Sequence, residues 1–176
     1  QDLAHLIEEI GLHDGQVMIS NNKVSPRDLA AMYNAADCVI NISDAEGFGL
    51  ATLESLSCGT PIIVTMTGGL QEQVTNGKDW FGIGIEPASK AIIGSQQVPY
   101  IYEDRISREA IIDALTKFSS LTKEERKELG LKGRQHVLDN YNFEQFEQRW
   151  INLIDSVVET RGSWDNRTNY TRWRLL

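Results

Sequence analysis

The sequence predicts an α/β fold: a Rossmann-like, doubly wound parallel sheet with further helices at its C-terminal end. Three observations point there. Short apolar runs of strand length alternate with helical segments over short loops. Two of those runs, "DCVINI" and "TPIIVT", are apolar almost throughout, as expected of strands covered on both faces. Glycine-bearing loops at 43–49 and 66–71 follow these strands, at the carboxyl end where such sheets bind ligands.

The elements follow in order. "DLAHLIEEIGL" repeats apolar residues at helical spacing through Leu3, Leu6, Ile7 and Ile10 and stops at Gly11, with no evident start signal, so the chain is expected to begin partway through a unit. "QVMIS" reads as a short strand. "SPRDLAAMYNAA" opens with Ser25 as N-cap and Pro26 at the first helical position. "DCVINI" is the next strand, a helix runs from about Gly49 to Cys58, "TPIIVT" is a further strand, and a short helix follows Gly69. Residues 87–104 lack clear periodicity and read as a long excursion. From Ser107 the chain is helical, with Thr122 and Glu125 spaced as a capping box and the charge run Lys123–Arg134 read as a solvated face. The first 160 residues form the expected domain. Residues 161–176 are a tail with four arginines, one aspartate and two of the four tryptophans, Trp164 and Trp173, read as a frayed terminus or a docking arm.

Composition narrows the function. A net charge of −8 argues against nucleic acid as the main partner, because that binding rests on Lys and Arg neutralising phosphates. No apolar run exceeds strand length, so no segment is expected to cross a bilayer. Cys38 and Cys58 lack ligand spacing and read as buried thiols of a reducing, cytoplasmic compartment. His5, His13 and His136 lie in separate segments and read as surface residues, and no metal site is expected. Sequons at Asn41, Asn166 and Asn169 carry no weight as three-residue matches.

The chemistry concentrates between residues 43 and 72. Gly47 and Gly49 let the backbone turn tightly, and the first-turn N–H groups of the following helix face the same loop, an arrangement suited to an anion. Thr67, Gly68 and Gly69 form a second loop, expected to be rich in unpaired donors. Two such loops on one crevice suit a phosphate or pyrophosphate. Glu54 falls four residues after Leu50, at the edge of the packed face, where a carboxylate matches the vicinal hydroxyls of a ribose. Glu46 lies in the loop, facing what lies beyond the phosphates. The competing reading pairs Glu54 with a basic side chain and leaves Glu46 in water.

"SDAEGFGLATLESLSCGTPIIVTMTGGLQE" resembles the signature of retaining glycosyltransferase family 4. The E-x7-E motif matches Glu46 and Glu54. The glycine loop matches Gly47, Phe48, Gly49 and Leu50, and the later segments match Gly59, Pro61, Gly68, Gly69 and Glu72. The resemblance runs over about 1–160. It implies the C-terminal, nucleotide-sugar-binding half of a GT-B enzyme, with Glu46 on the donor sugar as the candidate catalytic residue, Glu54 on the ribose, and N–H groups of Phe48 to Leu50 on the diphosphate or sugar. Glu72 belongs either to the site or to the charge balance of its own helix. No metal or other cofactor is implied.

The family's first strand with its Arg and Lys, and the N-terminal domain that completes the cleft, have no counterpart here. The chain is therefore expected to be a fragment inactive alone, its partners the donor, that N-terminal domain and an unidentified acceptor, with membrane association of the intact enzyme left open. The alternatives are a GT-B epimerase or phosphorylase, and a silent scaffold acting through its tail. A dehydrogenase or P-loop enzyme is disfavoured, since neither G-x-G-x-x-G nor a Walker motif occurs.

Overall fold

The computed structural model describes residues 2–12, 14–20 and 22–168. Its elements are α1 (Leu3–Glu9), α2 (Pro26–Ala35), β1 (Val39–Asn41), α3 (Leu50–Ser57), β2 (Ile62–Thr65), α4 (Leu70–Val74), β3 (Gly82–Ile85), β4 (Ser89–Ile93), β5 (Ile101–Arg105), α5 (Arg108–Ser120), α6 (Lys123–Asn140) and α7 (Phe143–Arg161). Strands β1, β2 and β3 form one parallel sheet in that order, with Val39 opposite Ile62 and Ile62 opposite Gly82.

The period of two along β2 explains why this strand is the centre of the domain. Ile62 and Val64 point into one core with Leu56, Leu70, Val74, Phe81 and Val137. Ile63 points into the other, with Ile83, Ile85, Ala114 and Phe118. Helices α3, α4 and α6 therefore cover one face and α5 the other, the doubly wound arrangement expected. By contrast β1 is a three-residue edge strand whose Ile40 stays 49% exposed, less covered than its apolar sequence suggests.

Cap chemistry sets the helix starts. Ser25 accepts from the Asp28 N–H, Ser107 from Ala110 and Asn142 from Gln145. Thr122 and Glu125 form the full capping box. Asp2 caps α1 by accepting from the Ala4 and His5 N–H groups, a start signal the sequence carries although the apolar spacing alone did not reveal it.

Three expectations are corrected. Residues 16–20 form no strand; Met18 is 90% exposed, and the segment adds no rung to the sheet edge. Residues 87–104 contain an antiparallel hairpin, β4 with β5, in which Ile92 faces Tyr102 and Ile93 faces Ile101. The charge run on α6 is exposed as expected except at Arg126, which is half-buried; Arg134 donates to the Ser57 carbonyl at 2.6 Å. Arg126 donates to the carbonyls of Leu121 and Ser119 and lies over the Phe118 ring. Both cations thus meet helix C-terminal carbonyls, where positive charge is favoured. Cys38 and Cys58 are half-buried free thiols; burial, then Asp37, pushes the Cys38 thiol up.

Helix α6 approaches α3 closely because Gly130 and Gly133 face it. A Cβ on Gly130 would lie 1.9 Å from the Gly59 carbonyl oxygen, and one on Gly133 would lie 2.5 Å from the Leu56 side chain. Helix α7 has no buried residue, and Phe143, Phe146, Trp150 and Ile154 on it are exposed. Trp164 is 83% exposed with the Arg167 guanidinium 4.1 Å from its ring; His13, Asn169 and Trp173 lie outside the described residues.

Backbone lies opposite Gly130, so the clash cannot be relieved by a side-chain rotation. Gly130→Ala is expected to lower the unfolding free energy by about 2 kcal/mol, read from urea denaturation. An unchanged midpoint would contradict the close approach of α6.

Candidate functional site

The loops after β1 and β2 leave neighbouring parallel strands at the same end, so they meet. The Gly69 N–H donates to the Gly47 carbonyl at 2.9 Å. Contact is close enough that a Cβ on Gly68 would sit 1.8 Å from the Glu46 carbonyl oxygen, and one on Gly69 would sit 2.7 Å from that of Phe48. Any side chain at either position would push the loops apart.

The second loop is not the donor-rich surface expected. Its Thr67 N–H is bonded to Thr65, Gly69 to Gly47 and Leu70 to Thr67, and Thr67 is buried. α4 is also only five residues long. The second loop packs against the first through the Gly69 N–H and the close approach of Gly68 and Gly69.

In that first loop Gly49 is the N-cap of α3 at φ +84°, and a Cβ there would meet Leu70 at 2.5 Å and the Thr52 hydroxyl at 2.9 Å. No side chain caps the first turn of α3. Phe48 and Leu50 are exposed on either side of Gly49, at 44% and 68%.

Glu46 is half-buried beside the loop. Its carboxylate accepts from Asn41 Nδ2 at 3.3 Å and from the Gly47 N–H at 3.1 Å. Asn41 is thus a site residue that the sequence disguised as a sequon. Its own Oδ1 accepts from the Ser43 N–H and hydroxyl, at 3.1 and 2.6 Å, which turns the chain out of β1.

Glu54 is exposed and, among the described residues, is met not by a basic side chain but by the Tyr33 hydroxyl, which donates to Oε2 at 3.0 Å. Burial first, then the hydrogen bond to Glu54, raises the Tyr33 phenol to about 12. The phenol therefore stays protonated, a donor, at any ordinary pH. Thr60 fixes it from behind, donating to the Tyr33 carbonyl at 2.7 Å.

Glu72 does not join the other two glutamates through its side chain. Its carbonyl accepts from His136 at 2.9 Å, and its side chain lines a cleft of about 330 Å³ with His136 and Tyr141. His136, expected on the surface, is half-buried and stacked on Phe81 at 4.3 Å. The rim of the first loop is tethered to the hairpin: Arg105 pairs with Asp44 at 2.7 Å, and the Asp104 N–H donates to the Asp44 carbonyl at 2.7 Å. Among the described residues no group of three His, Cys, Asp or Glu side chains converges to hold a metal ion, and no helix is long and apolar enough to cross a membrane.

The fold and the site define an α/β domain with a doubly wound parallel sheet and glycine loops interlocked at the carboxyl ends of β1 and β2. The chain belongs to the glycosyl transferases group 1 family, whose model matches residues 1–136. It is 33% identical over 107 residues to a D-inositol 3-phosphate glycosyltransferase of an Arthrobacter species, covering 61% of this chain and 24% of that protein. It is 39% identical over 77 residues to the enzyme of that name from Paenarthrobacter aurescens, covering 44% of this chain and 18% of that protein. The matched region is therefore a quarter or less of those relatives' length.

Among solved structures, a sucrose-phosphate synthase of Thermosynechococcus elongatus superposes with a TM-score of 0.61 at 25% identity, over 88% of this chain and 34% of that one. The C-terminal domain of a group 1 glycosyl transferase from Francisella tularensis does so with 0.56 at 26%, over 80% and 61%.

The raised phenol gives a pH signature. Folded Tyr33 holds its proton more tightly than an unfolded tyrosine, so its contribution to stability is complete below pH 10 and is lost as pH rises from 10 towards about 12. Tyr33→Phe is expected to remove one late-titrating phenol from the near-ultraviolet titration. Loss of a phenol with an ordinary midpoint would show that Tyr33 and Glu54 do not meet.

Proposed function

We propose that this chain is the donor-binding domain of a retaining glycosyltransferase, holding a nucleoside-diphosphate sugar from which a hexose is transferred. The observation that carries this reading is the pair of interlocked loops, which hold an uncapped helix start between Glu46 on one side and Glu54 on the other. The uncapped N–H groups from Phe48 to Leu50 meet the diphosphate. Glu54, with Oε2 taken by Tyr33, offers its remaining acceptor sites to the ribose hydroxyls. Glu46, steadied by Asn41, meets the sugar hydroxyls.

In this reading the bond between the sugar carbon and the phosphate oxygen breaks with positive charge developing on the carbon. The electron pair stays with the departing diphosphate, whose charge the fixed N–H groups stabilise. Glu46 holds the sugar in position rather than serving as a general base. The acceptor and the other wall of the cleft come from a second domain of a longer protein, in line with the small share of the relatives that the chain spans. Two free thiols and a cytosolic supply of nucleotide sugars favour the cytoplasm.

In the intact protein, Glu54→Gln is expected to weaken nucleoside diphosphate binding about tenfold by removing a charge-assisted acceptor. The same change should have little effect on the 2′,3′-dideoxy analogue. Glu46→Gln is expected to lower kcat about a hundredfold with a smaller change in donor KM. Unchanged kinetics in both variants, with transfer intact, would remove the two glutamates from the donor site.

A further inference from the structure

The most unusual buried group in the domain is an amide. Gln73 is fully buried on α4, between Leu70 and Val74, which are themselves fully buried. A leucine would fill the same space without the cost of burying a polar group, which is large unless every polar atom is paired. The pairing is complete. Gln73 Nε2 donates to the Phe48 carbonyl at 2.5 Å and to the Gly49 carbonyl at 3.2 Å. Its Oε1 lies 2.6 Å from the hydroxyl of Thr52, also fully buried, and that hydroxyl is 2.8 Å from the Gly49 carbonyl. The single Thr52 proton completes the pairing when it is donated to Gln73 Oε1, since the Gly49 carbonyl already accepts from Gln73 Nε2 and from the Leu53 N–H.

The direction of those carbonyls fixes the direction of the next N–H groups. There is no cis peptide bond in the described chain, and a trans peptide sets its N–H opposite its C=O. Gln73 and Thr52 hold the carbonyls of Phe48 and Gly49 inward, that of Gly49 together with the Leu53 N–H at 3.2 Å, so the N–H groups of Gly49 and Leu50 are set on the opposite side of those peptides. We propose that Gln73 and Thr52 are positioning residues that aim these two N–H groups at the diphosphate of the donor. This rests on the donor-binding reading above and adds to it the buried device that orients the anion site.

The test compares each of UDP, GDP and ADP with its nucleoside, titrated into the wild-type protein, Gln73→Leu, Thr52→Val and Thr52→Ser and followed by NMR. For Gln73→Leu the diphosphate affinity is expected to fall about tenfold, or about 1.4 kcal/mol, with nucleoside affinity nearly unchanged. Thr52→Val should show the same selective loss to a lesser degree, and Thr52→Ser, which keeps the hydroxyl, should recover it. If Gln73→Leu does not fold, Thr52→Val and Thr52→Ser decide the matter.

Equal losses for nucleoside and diphosphate, or none, would overturn the proposal while leaving the donor reading intact. A wild-type protein that binds no nucleoside diphosphate would instead defeat the donor reading. The proposal, which rests on that reading, falls with it. Unmoved amide signals of Gly49 and Leu50 in ligand-free Gln73→Leu and Thr52→Val would overturn it independently.

Discussion

The site depends on one backbone contact, the hydrogen bond from the Gly69 N–H to the Gly47 carbonyl. It exists because β1 and β2 are adjacent and parallel, so that the loops leaving them are within reach of each other. It also requires that neither Gly68 nor Gly69 carry a side chain. The fully buried β2 anchors one loop directly, and Leu70, at the start of α4, fills the space beneath Gly49. The second glycine loop therefore packs against the first and spends the Gly69 N–H on it.

Around that contact, polar side chains divide into two kinds. Gln73 and Thr52 are buried and shape backbone. Asn41 and Tyr33 are only partly buried and hold the two carboxylates that remain open to solvent. Each carboxylate, Glu46 half-buried and Glu54 exposed, thus has a neutral hydrogen-bonding neighbour, which orients it without neutralising it. Phe48 extends the arrangement outward, with its ring 6.0 Å edge-on from Tyr141, beside the cleft where Glu72 and His136 lie. The hairpin is tethered to the first loop through Arg105 and Asp44.

Much of this was legible in the sequence where local rules govern. The caps at Ser25 and Thr122, the helix start near Ser107, the burial of "PIIV" and the glycine loops follow from cap chemistry, period and backbone freedom. Glu46 and Glu54 stood out through motif spacing. What escaped were contacts made across the chain. Tyr33 is 21 residues from Glu54 and Gln73 is 25 from Phe48, and no local rule links them. A trace of Gln73 is visible in "LQEQV", where an amide occupies a position that helical spacing would fill with an apolar residue. The hairpin was missed because its strands, "SKAII" and "IYEDR", pair only with each other and carry no buried face to impose a clean alternation. "QVMIS" erred in the opposite direction: strand composition without a strand to pair with gives no strand.

The central claim is that the N–H groups at the start of α3 form the seat of a nucleoside diphosphate. The most direct measurement is an amide NMR titration of the protein with UDP, GDP and ADP up to millimolar concentration. The expected result is that one of them shifts the signals of Phe48, Gly49, Leu50 and Glu54 together and leaves the hairpin residues Ile92 and Tyr102 in place. Shifts confined to the cleft around Glu72 and His136, or no shift with any of the three, would contradict it.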